Sequence, residues 1–382
     1  MKHRLLTMVT GGLWMTMVVG SLRAEESITV YLGTYTGRGS EGIYRARLDR
    51  ATGKITLAGV TRGVSNPSFL AIHPNGKFLY SVSEVDTQEG KKTGGVSALS
   101  IDPTTRELTL LNQQESGGGG PCHVSIDATG KTVLVANYGA GSVASLPIDA
   151  DGRLRPAASV VQHQGKSVNQ QRQGGPHAHS IHVDPTNRFA VAADLGVDKI
   201  YVYRLEPAAG TITPHEPPSL STPAGGGPRH FAFHPNGGWA YANNELTSTV
   251  LAMTWDASQG KLEILQSLST LPTAELDLGN TTAEVAVHPS GEYVYVSNRG
   301  NDSIAIFRVD TKSGRLEAKG HTKTGGKTPR NFGIDPSGRF LLAANQDSDS
   351  VVVFSIDRAT GGLRPTGSSI SVSMPVCVKF LP

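Results

Sequence analysis

Six stretches of the chain repeat one pattern: an apolar run, a His-Pro, Asp-Pro or similar step, a Gly turn, a second apolar run and a polar end. They read SFLAIHPNGKFLYSVSE, CHVSIDATGKTVLVANY, HSIHVDPTNRFAVAADL, RHFAFHPNGGWAYANNE, AEVAVHPSGEYVYVSNR and RNFGIDPSGRFLLAANQ. The residues that start their turns are His73, Asp127, Asp184, His234, His288 and Asp335, spaced by 54, 57, 50, 54 and 47 residues. A period near 50 residues is that of a propeller blade, a unit that buries its faces only against its neighbours. Each copy runs on into another strand, such as SIAIFRVD or SVVVFSID, and a fourth segment follows a Gly-containing turn, as in GRLEAKG. Four antiparallel strands joined by short hairpins therefore make up each unit.

Two remainders flank the six units. The N-terminal ITVYLGTYTGRGSEGIYRARLDRATGKITLAGV reads as strands two to four of a unit, and the C-terminal SMPVCVKFLP as a first strand without followers. Joined, they complete a further blade and leave no open sheet edge at the seam. The expected fold is all-β: one seven-bladed β-propeller over residues 25–382, its ring closed by the two chain ends. Composition agrees, because 45 glycines and 22 prolines among 382 residues, with 38% apolar residues in short runs, suit strands and turns rather than helices.

Ahead of the propeller, MKHRLLTMVTGGLWMTMVVGSLRAEES carries Lys2 and Arg4 before an apolar stretch too short to span a bilayer, then small residues up to Ala24. This is the pattern of a secretory signal peptide over residues 1–24, so an exported, periplasmic or secreted protein is expected. Cleavage removes Lys2, Arg4 and Arg23 and takes the formal charge from +3 to 0. A neutral chain offers no bulk charge for nucleic acid or membrane, and a monomer is expected. Cys122 and Cys377 are expected as free thiols, since a fold of this size does not depend on a disulfide.

Register turns the repeat into a map. The start of strand one and the end of strand two lie at the same end of a blade, and strand one is innermost, so both positions rim the central channel. Five residues before the turn start come Ser68, Cys122, His179, Arg229 and Arg330, with Glu284 near the corresponding place. Ten after it come Ser83, Asn137, Asp194, Asn244, Asn298 and Asn345, and eleven after it Glu84, Tyr138, Leu195, Glu245, Arg299 and Gln346. The recurring Asn or Asp predicts backbone hydrogen bonding in the strand-to-loop turn, and His73, His234 and His288 predict turn chemistry at the far end.

Departures from the repeat carry more information than its recurrences. His177, His179, Arg229, His230, Glu245, Arg299 and Arg330 put imidazole, guanidinium or carboxylate groups where sister units have Ser, Cys, Leu or Tyr. A scaffold has no need of cations at these positions, and an anion-binding pocket does. The insertion HQGKSVNQQRQGG, residues 163–175, places Arg172 and Gln173 within reach of the same rim. No G-x-S-x-G elbow is present, and a His-x-His pair without a spaced carboxylate is a weak zinc signal, so neither a metal nor another cofactor is expected. Metal-free acid–base chemistry fits better: an imidazole or carboxylate to move protons, and guanidinium groups to hold an anion and an oxyanion.

GGGPCH, GKSVNQQRQGGPHAH, DLGVDKIYVY, GGGPRHFAFHPNG, NNE, YVSNRGNDSIAIF and PRNFGIDPSGRFLLAANQDSDSVVVF together resemble the lactonase family of seven-bladed propellers. That family includes the propeller-type 6-phosphogluconolactonases and is similar to the fungal 3-carboxy-cis,cis-muconate lactonizing enzymes. The resemblance runs from about Ile28 to the C-terminus. It implies an active-site histidine in PHAH (His177 or His179), the GPRH arginine Arg229, the glutamate Glu245 and the SNRG arginine Arg299, with no required metal. The expected activity is hydrolysis of a small anionic or sugar-derived lactone, with Glu245, His177 or His179 as base and Arg229 and Arg299 on substrate anion and oxyanion. Arg172, Gln173, His230, Glu284 and Arg330 complete the expected substrate pocket. Two alternatives differ in class: a non-catalytic exported propeller scaffold, and a lactonizing cyclase acting on an unsaturated diacid.

Overall fold

A computed structural model describes residues 27–37, 39–87, 90–272 and 279–381. The expected leader, residues 1–24, lies outside the described residues. Seven four-stranded sheets are present. Counted from the first complete unit, blade 1 runs from Leu70–Ile72 to Leu108–Glu115, blade 2 from Pro121–Ile126 to Ser159–Gln162, and blade 3 from Ala178–Val183 to Thr211–Ser221. Blade 4 runs from Pro228–Phe233 to Lys261–Ser269, blade 5 from Thr281–Val287 to Leu316–Lys323, and blade 6 from Pro329–Ile334 to Leu363–Ser371. In the closing blade the C-terminal strand Pro375–Phe380 lies innermost and pairs antiparallel with Ser27–Thr34, followed by Ile43–Asp49 and Ile55–Thr61. The expected seven-bladed ring and its shared blade are both observed. One short 3-10 turn, Gln346–Ser348, is the only helical element among the described residues.

Burial falls off from the middle of each blade to its rim. The second strands Thr132–Asn137, Phe189–Asp194 and Phe340–Asn345 are buried at every residue, because neighbouring blades cover both their faces. That is why they read as continuous apolar runs instead of alternating ones. The outer strand Lys261–Ser269 buries only Leu262. The cores lie between blades: Tyr241 and Val250 of blade 4 pack with Val294 and Phe307 of blade 5.

The repeated turns clip one blade to the next. His73, His234 and His288 place Nε2 within 2.9, 2.8 and 2.8 Å of the carbonyl oxygens of Gly130, Gly291 and Gly338 in the following blades. These glycines have left-handed φ of 71°, 77° and 69°. Each also packs under the histidine ring, since an added Cβ on Gly130 would come within 2.3 Å of His73. Asp127, Asp184 and Asp335 instead close their own turns; Asp184 Oδ1 accepts from the backbone N–H groups of Arg188 and Phe189, both at 2.8 Å. Both residue types therefore act as turn chemistry, as the sequence suggests.

Candidate active site

The innermost strands bulge at the channel rim. The pairing register slips between Pro121 and His123, Ala178 and Ser180, Pro228 and Phe231, and Pro329 and Asn331, where Cys122, His179, Arg229 and Arg330 sit. A bulge sets two residues against one and re-aims their side chains, so successive residues of the bulged strand can both serve the channel. At the ends of the second strands, Asn and Asp side chains tie down the turns. Asn298 Nδ2 donates to Thr270 O at 2.7 Å, and Asp194 Oδ1 accepts from the backbone N–H of His177 at 2.8 Å.

These positions enclose a cavity of about 300 Å³ at the channel mouth. Arg172, Arg299 and Arg330 bring guanidinium groups to its wall, Glu84 and Glu245 carboxylates, and His179, Tyr138, Cys122 and Thr281 complete it. Glu245 is the electrostatic hub. Its Oε1 accepts from Arg172 Nη2 at 2.6 Å, and its Oε2 from Arg229 Nε at 2.9 Å and Arg299 Nη2 at 3.0 Å. Burial pushes this carboxyl up, but Arg299, Arg229 and Arg172 outweigh it and hold the group down at about 2. Arg299 is pushed down to about 9 by burial, against the pull of Glu245.

Arg229 is among the largest fully buried side chains and lies beneath Glu245, where it also donates to the carbonyl of Ala283. It supports the cavity floor without walling the cavity itself. The insertion 163–175 delivers Arg172 from above. His163 anchors that segment through Asp194 at 2.5 Å and the Tyr203 hydroxyl at 2.6 Å.

The two histidines of PHAH separate. His179 faces the cavity, with Nδ1 3.7 Å from Cys122 Sγ, and burial holds its pKa well below the usual imidazole range. His177 does not wall the cavity: its Nδ1 donates to Tyr138 O at 2.9 Å and its ring stacks on Tyr138.

Three other expected substrate contacts lie elsewhere. Gln173 is fully buried, and its amide donates to Leu195 O at 2.9 Å and Asp198 Oδ1 at 2.8 Å, so it fastens the insertion instead of facing substrate. His230 and Glu284 pair at 3.0 Å deeper in the channel, and Glu284 lines the cavity at the opposite end. The register slip in blade 5 spans Thr282 to Val285 and points Glu284 away from the mouth. Arg330 does reach the mouth, its guanidinium 5.5 Å from the centre of the Tyr35 ring.

The sequence reading assigns no role to Glu84 or Tyr35. Glu84 shares the register place of Glu245, which is the signal that marks it. Tyr35 holds the same place in the closing blade, since Thr34 pairs with Pro375 as Asn244 pairs with Pro228. That blade has no internal turn from which to count, because its first hairpin is replaced by the two chain ends. Cys122 and Cys377 are both free and buried, and burial pushes the Cys122 thiol up. Among the described residues no group of three or more His, Cys, Asp or Glu side chains is arranged to hold a metal ion.

The chain is a seven-bladed propeller with arginines and carboxylates gathered over one channel mouth. The family model described as lactonase, 7-bladed β-propeller, matches residues 29–380. The chain belongs to this lactonase family. It is 40% identical over 351 residues to a 6-phosphogluconolactonase of Bacillus subtilis, covering 92% of this chain and 97% of that one. A 6-phosphogluconolactonase of Formosa agariphila is 33% identical over 79% of this chain and 85% of its own. Among solved structures, the periplasmic gluconolactonase of Pseudomonas aeruginosa superimposes with a TM-score of 0.87 at 33% identity, covering 93% of this chain and 99% of that one.

Proposed function

We propose that the protein hydrolyses the lactone of a sugar acid, by acid–base chemistry in the cavity at the channel mouth. The observation that carries this reading is the surplus of guanidinium over carboxylate groups there. Arg172, Arg299 and Arg330 face the space from the wall and Arg229 lies beneath, against Glu84 and Glu245. Ester hydrolysis passes through a tetrahedral oxyanion and ends in a carboxylate, and preorganised cations stabilise both. Glu245 serves by holding three of these arginines in place. The named lactonases among the relatives support the same reading.

Export is part of the proposal, with the leader-like residues 1–24 and the periplasmic description of the Pseudomonas neighbour in its support. The described residues contain no helix long and apolar enough to cross a membrane. The test is a pH-stat screen of the purified chain lacking residues 1–24 against aldonolactones with and without a phosphate. Hydrolysis well above the spontaneous rate for at least one lactone is expected. No acceleration for any of them overturns the reading, and turnover of an unsaturated diacid alone assigns the chain to lactonizing chemistry.

A further inference from the structure

Two carboxylates occupy the same register place in different blades, and their surroundings are opposite. Glu245 directly follows the second strand of blade 4, Trp239–Asn244, and Glu84 that of blade 1, Phe78–Ser83. Three steps round a ring of seven set them on facing sides of the mouth, where both line the cavity. Both oxygens of Glu245 are occupied by guanidinium groups. Glu84 has no ion-pair partner among the described residues. Its two oxygens instead accept from the Tyr35 hydroxyl, at 3.0 and 3.0 Å, and from Ser68 Oγ.

The Glu84 backbone is equally well placed. Its N–H donates to Asn66 O at 3.1 Å, and Asn66 Nδ2 donates back to Glu84 O at 3.1 Å. Asn66 takes a left-handed φ of 42° to make this clamp, and its Oδ1 accepts from Thr36 N at 2.9 Å. The closing blade, which supplies Tyr35, is thereby locked to blade 1 beside the carboxylate. The other ionisable groups around the space that Glu84 lines are Arg330, over the Tyr35 ring, the Cys122 thiol, His179, His230 and Arg229, with Arg172, Glu245 and Arg299 across the mouth. Burial raises both the Tyr35 hydroxyl and the Cys122 thiol, so each keeps its proton, and the Tyr35 hydroxyl donates its own to the carboxylate.

We propose that Glu84 is the general base of the lactone hydrolysis, with Tyr35 and Ser68 as its positioning residues. The proposal rests on the lactonase reading above. The alternatives are less suited to the task. Glu245 is held by three cations against taking a proton, His179 is buried among cations that disfavour its protonated form, and His177 is tied to a backbone carbonyl outside the cavity. In the proposed step Glu84 takes a proton from water as the water oxygen bonds to the lactone carbonyl carbon, and the carbonyl π pair moves onto oxygen. The oxyanion then collapses, the ring C–O bond breaks, and the proton held by Glu84 passes to the departing ring oxygen. The carboxylic acid so formed loses its own proton to solvent, and Glu84 is regenerated as the anion.

The experiment uses whichever lactone the wild-type chain hydrolyses, so a chain that hydrolyses none fails the earlier reading rather than this one. Glu84→Gln is expected to lower kcat by at least ~100-fold with KM within ~3-fold, and its residual activity should lack the acidic limb of the kcat–pH profile. Tyr35→Phe and Ser68→Ala each remove a hydroxyl that holds the carboxylate in place, so each should lower kcat by ~3- to 10-fold with KM within ~3-fold. A folded Glu84→Gln chain with kcat within ~3-fold of wild type overturns the proposal. Should that variant not fold, wild-type kcat in both hydroxyl variants overturns it equally.

Discussion

Arg229 and Glu245 lie 16 residues apart in sequence and meet at 2.9 Å across the hairpin of a single blade. One strand goes down the channel wall and the next comes back, so the residue in the bulge of the first reaches the residue that ends the second. Both side chains are nearly inaccessible, at 2% and 5% exposure, and Arg172 and Arg299 close on the same carboxylate from other blades.

Removing the charge of Glu245 leaves three guanidinium groups facing one another with only a neutral amide between them. Glu245→Gln is expected to cost about 3–5 kcal/mol in urea denaturation, the scale for breaking a buried charge pair. It should also lower lactone turnover by at least ~100-fold, because the arginines lose their alignment. A folded variant with unchanged turnover would show that the carboxylate does not organise the cavity.

Stability should fall as the solution is acidified from near neutrality. Burial depresses His123, His179 and His230 below their ordinary 6.5, and His182 to about 3, while Glu245 stands at about 2 against its ordinary 4.5. The unfolded chain therefore binds these protons first. The contribution of the histidines is complete above 6.5 and is lost as pH falls below it; that of Glu245 is complete above 4.5 and lost toward 2. Each such proton adds about 1.4 kcal/mol per pH unit to the slope. Urea midpoints from pH 8 to 4 measure it, and His182→Gln should flatten the slope below 6.5 by about one proton's worth. A flat profile between pH 7 and 5 would contradict this account.

Gly130→Ala tests the clip between blades 1 and 2. The added methyl group meets the His73 ring at 2.3 Å from a backbone with φ of 71°. Left-handed strain and overpacking together predict a loss of about 2–4 kcal/mol in chemical denaturation. Gly237→Ala, at φ of 73° but with open space around its Cβ, should lose only the conformational part, about 1–2 kcal/mol. Equal losses at the two sites would remove the clip from the explanation.

The ring, its blade count and the sharing of one blade by the two chain ends were legible because apolar runs and turns recur at a nearly constant period. Counting from the turn also placed Glu245, Arg299, Arg330 and His179 on one rim. What counting could not give was side-chain direction. The bulges rotate Arg229 beneath the cavity and send Glu284 toward the far end of the channel, and a one-residue slip leaves no compositional trace. Gln173 is polar in sequence, yet it is spent on Asp198 inside the insertion. Tyr35 was hidden because its blade is split between the two ends of the chain; Glu84 stood on the counted rim, but nothing in its surrounding motif set it apart from a solvated side chain.

The strand pairing that shuts the ring joins Val30 to Phe380 and Leu32 to Val378. Almost the whole polypeptide lies between these partners, whereas every other blade is built from strands that follow one another directly. Loop-closure entropy makes such a contact the most expensive to reach, and locally connected hairpins assemble sooner. Six blades are thus held by local hairpins, and the seventh depends on the two chain ends meeting. Tyr35, the Asn66–Thr36 clamp and Glu84 are all drawn from the N-terminal part of the chain, Tyr35 and Glu84 being 49 residues apart, so the carboxylate takes its hydroxyl partner from the first of the two chain ends. Both chain ends are needed to close the ring, and the first of them also brings Tyr35 to the mouth.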